Sequence, residues 1–499
     1  MKMTRKIPAT MFSQHPDHAS KPYWLSQPFI QTHNELEECY LMFKEMGAQE
    51  MMWDWEGKHV DESVVEKLLG KYSDYFRVNP IGEKLFLTFR VPNPRIESGY
   101  RLGRAFMAIL SSQHLAYNAG FLLPPLFEVV LPMTESAQEM LAIQKSFERI
   151  SKAASISFGS NGFNKQEIEI IPLFESVETI LKSGKILEQY LEILQDRFGK
   201  HVIYLRPFIA RSDPALNSGI VPTTLAIKWA LSEYAKLAKK KRIDIYPIIA
   251  PGVLPFRGGL TPHTTGEFMS EFAGIRTLVI QSSFRYDFPI GSVKSSIKKI
   301  IRELPQKEPT LLTKNVLEEI RTIIPFFEKP YKETIEKIAP LIERISVFIP
   351  QRRERVQHIG LFGYSRSVGK VKLPRAIGFT ASCYSLGIPP ELFGTGRGIK
   401  LAKKKKKIKI IETLYKSLRP TLKRAGRYLR KESLKEFGLK EIEEDIKIIE
   451  EYLGEKLGPK TKSEKTHGEL VARIIHQLKV GINPEKEIEQ AAKLRKSIG

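Results

Sequence analysis

The sequence predicts an α/β fold: a (β/α)8 barrel of the TIM type with large additional helical segments. Short apolar runs rich in β-branched residues alternate with stretches of helical pattern, and this alternation is typical of barrels with parallel strands. The runs lack the regular polar alternation of a half-exposed sheet, so we expect strands buried on both faces. At 499 residues, 42% of them hydrophobic, the chain is long enough to bury such a core.

Eight candidate strands follow one another along the chain, each a run of β-branched, aromatic or other apolar residues. Helical stretches such as SAQEMLAIQKSFERI and LAIKWALSEYAKLAKKK separate them. The candidate strands span residues 50–56, 84–91, 127–133, 168–175, 201–210, 244–251, 276–284 and 356–365.

The chain contains no internal repeat and no low-complexity linker, so we expect one elaborated barrel domain over residues 1–499. Its parts would be an N-terminal segment (1–45) that carries His15, the barrel (46–395), and a C-terminal helical extension (396–499). A helical insertion at about 297–349 would interrupt the barrel before its last strand.

The chain is basic, with 79 Lys and Arg against 56 Asp and Glu and a net charge of +23. Such an excess fits a nucleic-acid partner, attraction of anionic substrates, or a lysine-rich surface. The run Lys403 to Lys407 and the late Lys/Glu stretches favour a solvated helical surface. Zinc-finger spacings and interleaved aromatic residues are absent from the sequence, so we expect no nucleic-acid partner.

Cysteine usage and hydropathy indicate the compartment. Cys39 and Cys383 are the only cysteines, which does not support a disulfide framework and fits a reducing environment. The N-terminus shows no secretory signal, and no apolar run is long enough to span a bilayer. We therefore expect a cytoplasmic protein without a membrane partner.

Two carboxylates follow apolar runs at predicted strand ends, Glu175 after IEIIPLF and Asp213 after VIYLRPFIARS. Barrel enzymes build their sites at the carboxyl ends of the strands. An ionised carboxylate there is costly unless it is paired or bound to a cation, and Mg²⁺ or Mn²⁺ prefers such hard oxygen ligands. We predict both residues as metal ligands, the alternative for each being an ion pair with a neighbouring arginine.

Several cationic residues suit a phosphorylated anion. In the loop PFRGG, Arg257 would donate to phosphate while Gly258 and Gly259 let the backbone approach it, although an ordinary turn is the alternative. The guanidinium groups of Arg90, Arg375 and Arg366 can bind carboxylate or phosphate in a bidentate manner, and rim ion pairs or plain surface exposure are their alternatives.

His15 precedes Pro16, which predicts an extended or turn conformation at a loop. In that position its imidazole is a candidate acid–base group, although a lone histidine more often makes a structural hydrogen bond. Asp54 and Glu56 lie with Trp53 and Trp55 at the end of the first candidate strand. These four side chains would either line the predicted binding pocket or pack in the core.

Several segments, and the order in which they occur over about residues 8–395, resemble those of the archaeal-type phosphoenolpyruvate carboxylases. The segments are MFSQHPD, GAQEMMWDWEGKHVDE, VVLPMTESA, IIPLFES, ARSDPALNSG, FRGGLTP, VIQSSFRYDFP, HIGLFGYSRS and LPRAIGFTASCYSLGIPPE. The resemblance implies carboxylation of phosphoenolpyruvate by bicarbonate to oxaloacetate and phosphate, with a divalent ion and a homotetrameric assembly.

The resemblance also implies roles for individual residues. The larger bacterial and plant carboxylases of the same reaction have metal ligands that are matched by Glu175 in PLFES and Asp213 in ARSDPAL, and a catalytic histidine that is matched by His15. Arg90, Arg257 and Arg375 match arginines of the same site. The positive charges and the metal would stabilise the attack of bicarbonate on phosphorus, which leaves carboxyphosphate and the enolate of pyruvate.

The chain departs from the larger enzymes at three cationic positions. The lysine of their YSDSAK element is replaced by Leu216, and their doubled GRGG loop occurs only once here, so its second arginine has no counterpart. A later arginine is not found where Ser385 and Leu386 stand. Two alternatives stay open: another Mg²⁺-dependent barrel lyase that acts on related substrates, and a basic nucleic-acid-binding protein.

Overall fold

A computed structural model describes residues 5–58, 60–159, 162–163, 167–354, 366–368 and 371–499, with the backbone alone for 366–368. Eight parallel strands form a closed barrel in which each strand pairs with its neighbours in the chain and the last pairs with the first. The predicted (β/α)8 barrel is therefore confirmed. The strands are β1 (Thr10–Phe12), β2 (Glu50–Asp54), β3 (Phe86–Arg90), β4 (Glu128–Leu131), β5 (Glu169–Phe174), β6 (Phe208–Ala210), β7 (Ile248–Ala250) and β8 (Thr277–Ile280).

The barrel closes with a strand that the sequence pattern did not predict. β1 has only three residues and follows Pro8, which leaves too short a run for any period to show. Because β1 completes the eight strands, the prediction that 356–365 supplies the eighth barrel strand is wrong. Residues 356–365 themselves lie outside the described part of the chain.

Two of the predicted strands are interrupted by proline. Tyr204–Leu205 and Asp244–Ile245 pair with each other in a separate two-stranded sheet, and Pro207 and Pro247 then precede β6 and β7. Proline cannot donate to a strand ladder, which explains why the barrel strands begin after it. A third sheet is the antiparallel pair Arg366–Val368 and Val371–Leu373.

Helices surround the barrel and form the additions at its end. The predicted insertion corresponds to the helices Ile290–Glu303 and Lys314–Ser346. The other α-helices are Glu35–Lys44, Val64–Lys71, Ser73–Val78, Gly99–Asn118, Ala137–Phe158, Val177–Phe198, Ser212–Ser218, Ile220–Lys241, Thr265–Glu271, Ser282–Tyr286, Ala376–Ser385, Thr395–Lys404, Ile408–Leu414, Leu418–Gly426, Lys431–Glu436, Lys440–Leu453, Lys462–Val480 and Glu485–Arg495. In the described part of the chain, none of the helices combines the length and apolar composition that crossing a bilayer requires.

The barrel interior is layered. Its middle is apolar, with residues such as Met11, Met52 and Ile248 packed together. Its amino-terminal end is closed by a buried ion-pair cluster in which Arg206 bonds Glu50 and Glu128, both at 2.6 Å. The carboxyl-terminal end is therefore the end at which a ligand can enter.

The last residues of the chain return to the carboxyl-terminal end of the barrel. The helix Glu485–Arg495 is followed by a buried tail in which the Ile498 amide donates to the Asp17 carbonyl at 2.8 Å. The Gly499 carbonyl oxygen accepts a hydrogen bond from Arg257 at 2.5 Å. The C-terminal extension thus helps to build the barrel mouth.

Candidate active site

A cavity of about 1120 Å³ opens at the carboxyl ends of the barrel strands. This volume lies slightly above the range that small-molecule sites usually occupy. The cavity brings together six of the predicted site residues, which come from the ends of five different strands or the segments that follow them, and from the start of a late helix. These are His15, Arg90, Glu175, Asp213, Arg257 and Arg375.

Glu175 and Asp213 follow neighbouring strands. Glu175 comes directly after β5, and its Oε2 accepts the Met133 amide at 2.7 Å. Asp213 lies in the first turn of the helix Ser212–Ser218, three residues beyond the end of β6. Because β5 and β6 are paired, their carboxyl ends meet at one edge of the mouth. The two carboxylates line the same cavity, as the metal-ligand prediction requires.

The donor set at these carboxylates fits a hard divalent ion. Mg²⁺ is usually held by one or two carboxylates, and substrate oxygens and water complete its octahedron. Within the described residues there is no group of three or more His, Cys, Asp and Glu side chains that could hold a metal by itself. An ion held by Glu175 and Asp213 would therefore keep positions open for substrate.

Arg90 is held in place by two carboxylates. Its Nε and Nη2 bond Asp54 at 2.8 and 2.5 Å, and its Nη1 lies 2.8 Å from Glu56. Burial alone would raise the pKa of Asp54, but the adjacent Arg90 guanidinium holds that pKa well below its ordinary value. Arg375 contacts the other Glu56 oxygen at 3.1 Å. Asp54 and Glu56 thus fix two guanidinium groups at the cavity wall.

Arg257 is almost fully buried and has several partners within the chain. Nη1 bonds Asp17 at 3.0 Å, Nε bonds the Ser212 hydroxyl at 3.1 Å, and Nη2 donates to Gln281. These contacts, with the Gly499 carbonyl described above, fix the guanidinium at the cavity. A role as phosphate ligand stays a prediction for this residue.

The glycines of the PFRGG loop lie elsewhere. Gly258 and Gly259 have φ of 126° and 73°, a region that favours glycine, and they line a separate small pocket behind the loop. The structure therefore does not bring them to the main cavity. Arg366 begins the strand Arg366–Val368, and its side chain is outside the described part of the chain.

His15 is partly buried beside this positive wall. Its Nδ1 lies 2.8 Å from the Ser13 hydroxyl, which leaves Nε2 as the ring nitrogen for a substrate. Burial, and then the charges of Arg90 and Arg257, lower the pKa of His15 well below its ordinary value of 6.5. The imidazole is therefore neutral at physiological pH.

Some cavity residues escaped the sequence analysis. Arg352 and Arg353 belong to the run QRRER, which has the composition of a solvated segment, although both are buried and line the cavity. Gln14 and Arg211 stand inside segments that carried the family resemblance, next to the residues that were singled out. For Ile498, more than 100 residues beyond the resemblance, no local pattern could have indicated the site.

A barrel mouth that combines two carboxylates from neighbouring strands, a neutral histidine and several fixed guanidinium groups defines an enzyme for small anionic substrates. The family model described as phosphoenolpyruvate carboxylase matches residues 7–499. The chain belongs to the phosphoenolpyruvate carboxylase family. The prediction of an archaeal-type member, and of a carboxy-lyase, is thereby confirmed.

Individual relatives agree over nearly the whole length. The chain is 38% identical over 505 residues to the phosphoenolpyruvate carboxylase of Leuconostoc mesenteroides, a match that covers 99% of this chain and 100% of the relative. It is also 38% identical to that of Metallosphaera sedula over 522 residues, with 99% and 100% covered. The enzyme of Pyrococcus abyssi is 37% identical, with 90% and 95% covered.

Proposed function

We propose that the cavity at the barrel mouth carboxylates phosphoenolpyruvate with bicarbonate and releases oxaloacetate and phosphate. The observation that carries this proposal is the meeting of Glu175, Asp213 and His15 in one cavity with the guanidinium groups of Arg90 and Arg375. Phosphoenolpyruvate carries a carboxylate and a phosphate, and fixed guanidinium groups suit both anions.

Glu175 and Asp213 would hold Mg²⁺ or Mn²⁺. When bound there, the ion supplies positive charge beside the substrate oxygens on which negative charge develops. Oxygen-only donors at neighbouring strand ends support this assignment, because they match the ligands that these ions prefer. Removal of the ion with a chelator should abolish turnover, and Mg²⁺ or Mn²⁺ should restore it.

The guanidinium groups act in the first step. A bicarbonate oxygen forms a bond to phosphorus while the bond from phosphorus to the enol oxygen breaks, which yields carboxyphosphate and the enolate of pyruvate. Arg90 and Arg375 are held at the cavity wall by Asp54 and Glu56 before substrate arrives. Their charges can therefore stabilise the transition state without reorganisation.

His15 acts in the second step. Its neutral imidazole takes the remaining bicarbonate-derived proton as carboxyphosphate breaks down to CO₂ and phosphate. The enolate carbon then forms a bond to CO₂ and gives oxaloacetate. The lowered pKa of His15 means that the ring is unprotonated before the transfer, which is the state in which a base acts.

The test is phosphoenolpyruvate-dependent oxaloacetate formation, measured with and without bicarbonate and Mg²⁺. We expect activity only with both. The variant His15→Asn should still release phosphate but yield pyruvate in place of oxaloacetate, because the enolate is protonated when CO₂ is not delivered. Unimpaired oxaloacetate formation by this variant would remove His15 from the mechanism.

We also propose a homotetramer in the cytoplasm, an expectation that rests on the family resemblance. Exposed apolar side chains on two consecutive helices support self-association: Tyr100, Met107 and Tyr117 on one helix and Ile156 and Phe158 on the next are 40% to 89% exposed. Where such side chains cluster, they often mark protein contacts. Light scattering of the purified chain would give its mass in solution, and a mass of one subunit would refute the assembly.

A further inference from the structure

Ser13 lies directly against the candidate acid–base group. Its hydroxyl oxygen is 2.8 Å from Nδ1 of His15, and this is the one hydrogen bond that the ring makes among the described residues. Ser13 itself is fully buried and is not one of the described residues that line the cavity. The serine is thus placed to act on a substrate through the imidazole and not by direct contact.

The chain on both sides of His15 is anchored to the barrel. The Ser13 amide donates to the Ile280 carbonyl at 3.2 Å, which continues the pairing of β1 with β8 by one residue. Two residues beyond the histidine, the carboxylate of Asp17 accepts a hydrogen bond from the Ser283 amide at 2.9 Å. These contacts hold the segment in place, so the serine hydroxyl keeps a defined position beside the ring.

The contact between the hydroxyl and Nδ1 is compatible with two tautomers of the neutral ring. Either the hydroxyl donates to a lone pair on Nδ1, or an Nδ1–H group donates to the hydroxyl oxygen. A base that acts through Nε2 requires the second arrangement, because Nε2 must then carry the lone pair. Once Nε2 has taken a proton, both ring nitrogens carry hydrogen, and Nδ1–H still needs an acceptor. The serine oxygen can be that acceptor before and after the transfer.

The partner of the ring is neutral. In many acid–base sites a carboxylate orients the histidine and stabilises its protonated form. In the described part of the chain, His15 makes no hydrogen bond to a carboxylate. A hydroxyl orients the ring without adding a negative charge. The charge state of the ring is therefore set by burial and by the surrounding charged groups, among which Arg90 and Arg257 act most strongly.

We propose that Ser13 is a positioning residue that fixes the His15 tautomer, with the proton on Nδ1 and the lone pair of Nε2 free for the substrate. The inference rests on the proposed function, in which Nε2 takes the bicarbonate-derived proton. In that step the Nδ1 proton stays on the ring and the serine keeps its own hydroxyl proton. The hydroxyl does not have to rotate, so the ring is oriented for the transfer before substrate arrives.

Nitrogen NMR of the parent protein with labelled histidine tests the tautomer without turnover. The His15 ring is identified by the signals that are lost in His15→Asn. At neutral pH we expect a protonated Nδ1 and an unprotonated Nε2. A proton on Nε2 would mean that the hydroxyl of Ser13 donates to Nδ1, and it would overturn the proposal.

The variant Ser13→Ala removes the acceptor for Nδ1–H. We expect kcat for oxaloacetate formation to fall about 10-fold, which is the loss expected for one hydrogen bond. The KM for phosphoenolpyruvate should change less than about twofold, because Ser13 does not touch the substrate. Phosphate release should fall less than oxaloacetate formation, so that part of the product becomes pyruvate. Equal amounts of phosphate and oxaloacetate at the parent kcat would refute the role.

Ser183→Ala is a matched control for the loss of a buried hydroxyl. The Ser183 hydroxyl is also fully buried and makes two hydrogen bonds, with the Tyr234 hydroxyl and the Ile180 carbonyl, both at 2.7 Å. It lies in the helix Val177–Phe198 and does not line the cavity. We expect a lower unfolding temperature and an unchanged product ratio. Pyruvate formation equal to that of Ser13→Ala would show that the product ratio follows stability, and would refute the role of Ser13.

The variant Ser13→Thr keeps a hydroxyl at the same position and should give a higher yield of oxaloacetate per phosphate than Ser13→Ala. The outcomes also separate this inference from the proposed function. An active parent protein whose Ser13→Ala variant keeps the parent kcat and tautomer would refute the inference alone. A parent protein without carboxylase activity would instead refute the proposed function, and the NMR signals would still report the tautomer.

Discussion

The two ends of the barrel hold similar chemistry in different settings. At the amino-terminal end, Arg206 bonds Glu50 and Glu128 with no more than 2% of any of these residues exposed. At the carboxyl-terminal end, Arg90 bonds Asp54 and contacts Glu56 in a similar way, but the group faces a cavity of about 1120 Å³. A buried arginine–carboxylate cluster therefore does not identify an active site by itself. The cavity at the carboxyl-terminal end makes the distinction.

The largest expected effect is the loss of catalysis from a single carboxylate at the mouth. Glu175→Gln should lower kcat by about 10³-fold, as the loss of an electrostatic group at a reacting centre does. Glu128→Gln is the matched change at the closed end, where burial raises the pKa of Glu128 to about 7. That variant should keep kcat within about twofold. Steady-state kinetics of both variants, together with their unfolding temperatures, would test this difference between the two ends. Equal losses of kcat in the two variants would refute it.

The next effect concerns stability at the closed end. Arg206→Met leaves Glu50 and Glu128 buried without their cation, which should lower the free energy of unfolding by about 3–5 kcal/mol. Urea unfolding would measure this loss. The folded fraction should keep the parent KM for phosphoenolpyruvate, since the middle layer of apolar residues separates Arg206 from the cavity. A large change in KM with unchanged stability would show that the closed end takes part in binding.

The predicted residues that the structure brings to one cavity share one physical reason for their position. Glu175, Asp213, Arg90 and Arg257 each stand at or just beyond the end of an apolar run, and parallel strands in a barrel bring all such ends to one rim. The order of motifs then assigned each residue a role without any knowledge of its neighbours. Local pattern and barrel topology were sufficient to predict that these residues lie at one rim.

The residues that the sequence could not place depend on contacts between distant parts of the chain. Gly499 bonds Arg257, which lies 242 positions away in the sequence, and Arg353 bonds Glu38, which lies 315 positions away. Neither hydrophobic periodicity nor a local motif indicates such pairs. The strand β1 was missed because three residues are too few to show a pattern. Gly258 was assigned to the main cavity, but its backbone turns it toward the pocket behind the loop.

The contact at Gly499 leads to a steric prediction. A Cβ at this position would lie 2.0 Å from the Ile377 carbonyl oxygen and 2.7 Å from the Ala381 amide nitrogen. Gly499→Ala should displace the carbonyl that accepts from Arg257, and kcat/KM should fall about 10²-fold, the usual result of small misplacements in a site. Gly481→Ala is a control, because nothing lies within 4 Å of its Cβ, although its φ of 75° adds some strain. Equal activity of the two variants would show that the tail contact is dispensable.

The smallest expected effect is the shift of the His15 pKa, which tests how the charges at the barrel mouth act on this side chain. Burial, then Arg90 and Arg257, disfavour the protonated ring, so its pKa in the folded protein lies below 6.5 and the neutral form persists to lower pH. Carbon NMR of labelled histidine would follow the ring, identified by the signal lost in His15→Asn. The midpoint should lie well below pH 6.5. A midpoint at or above 6.5 would mean that the positive wall does not reach His15. The mouth would then resemble the closed end, where the charge of Arg206 is matched by Glu50 and Glu128.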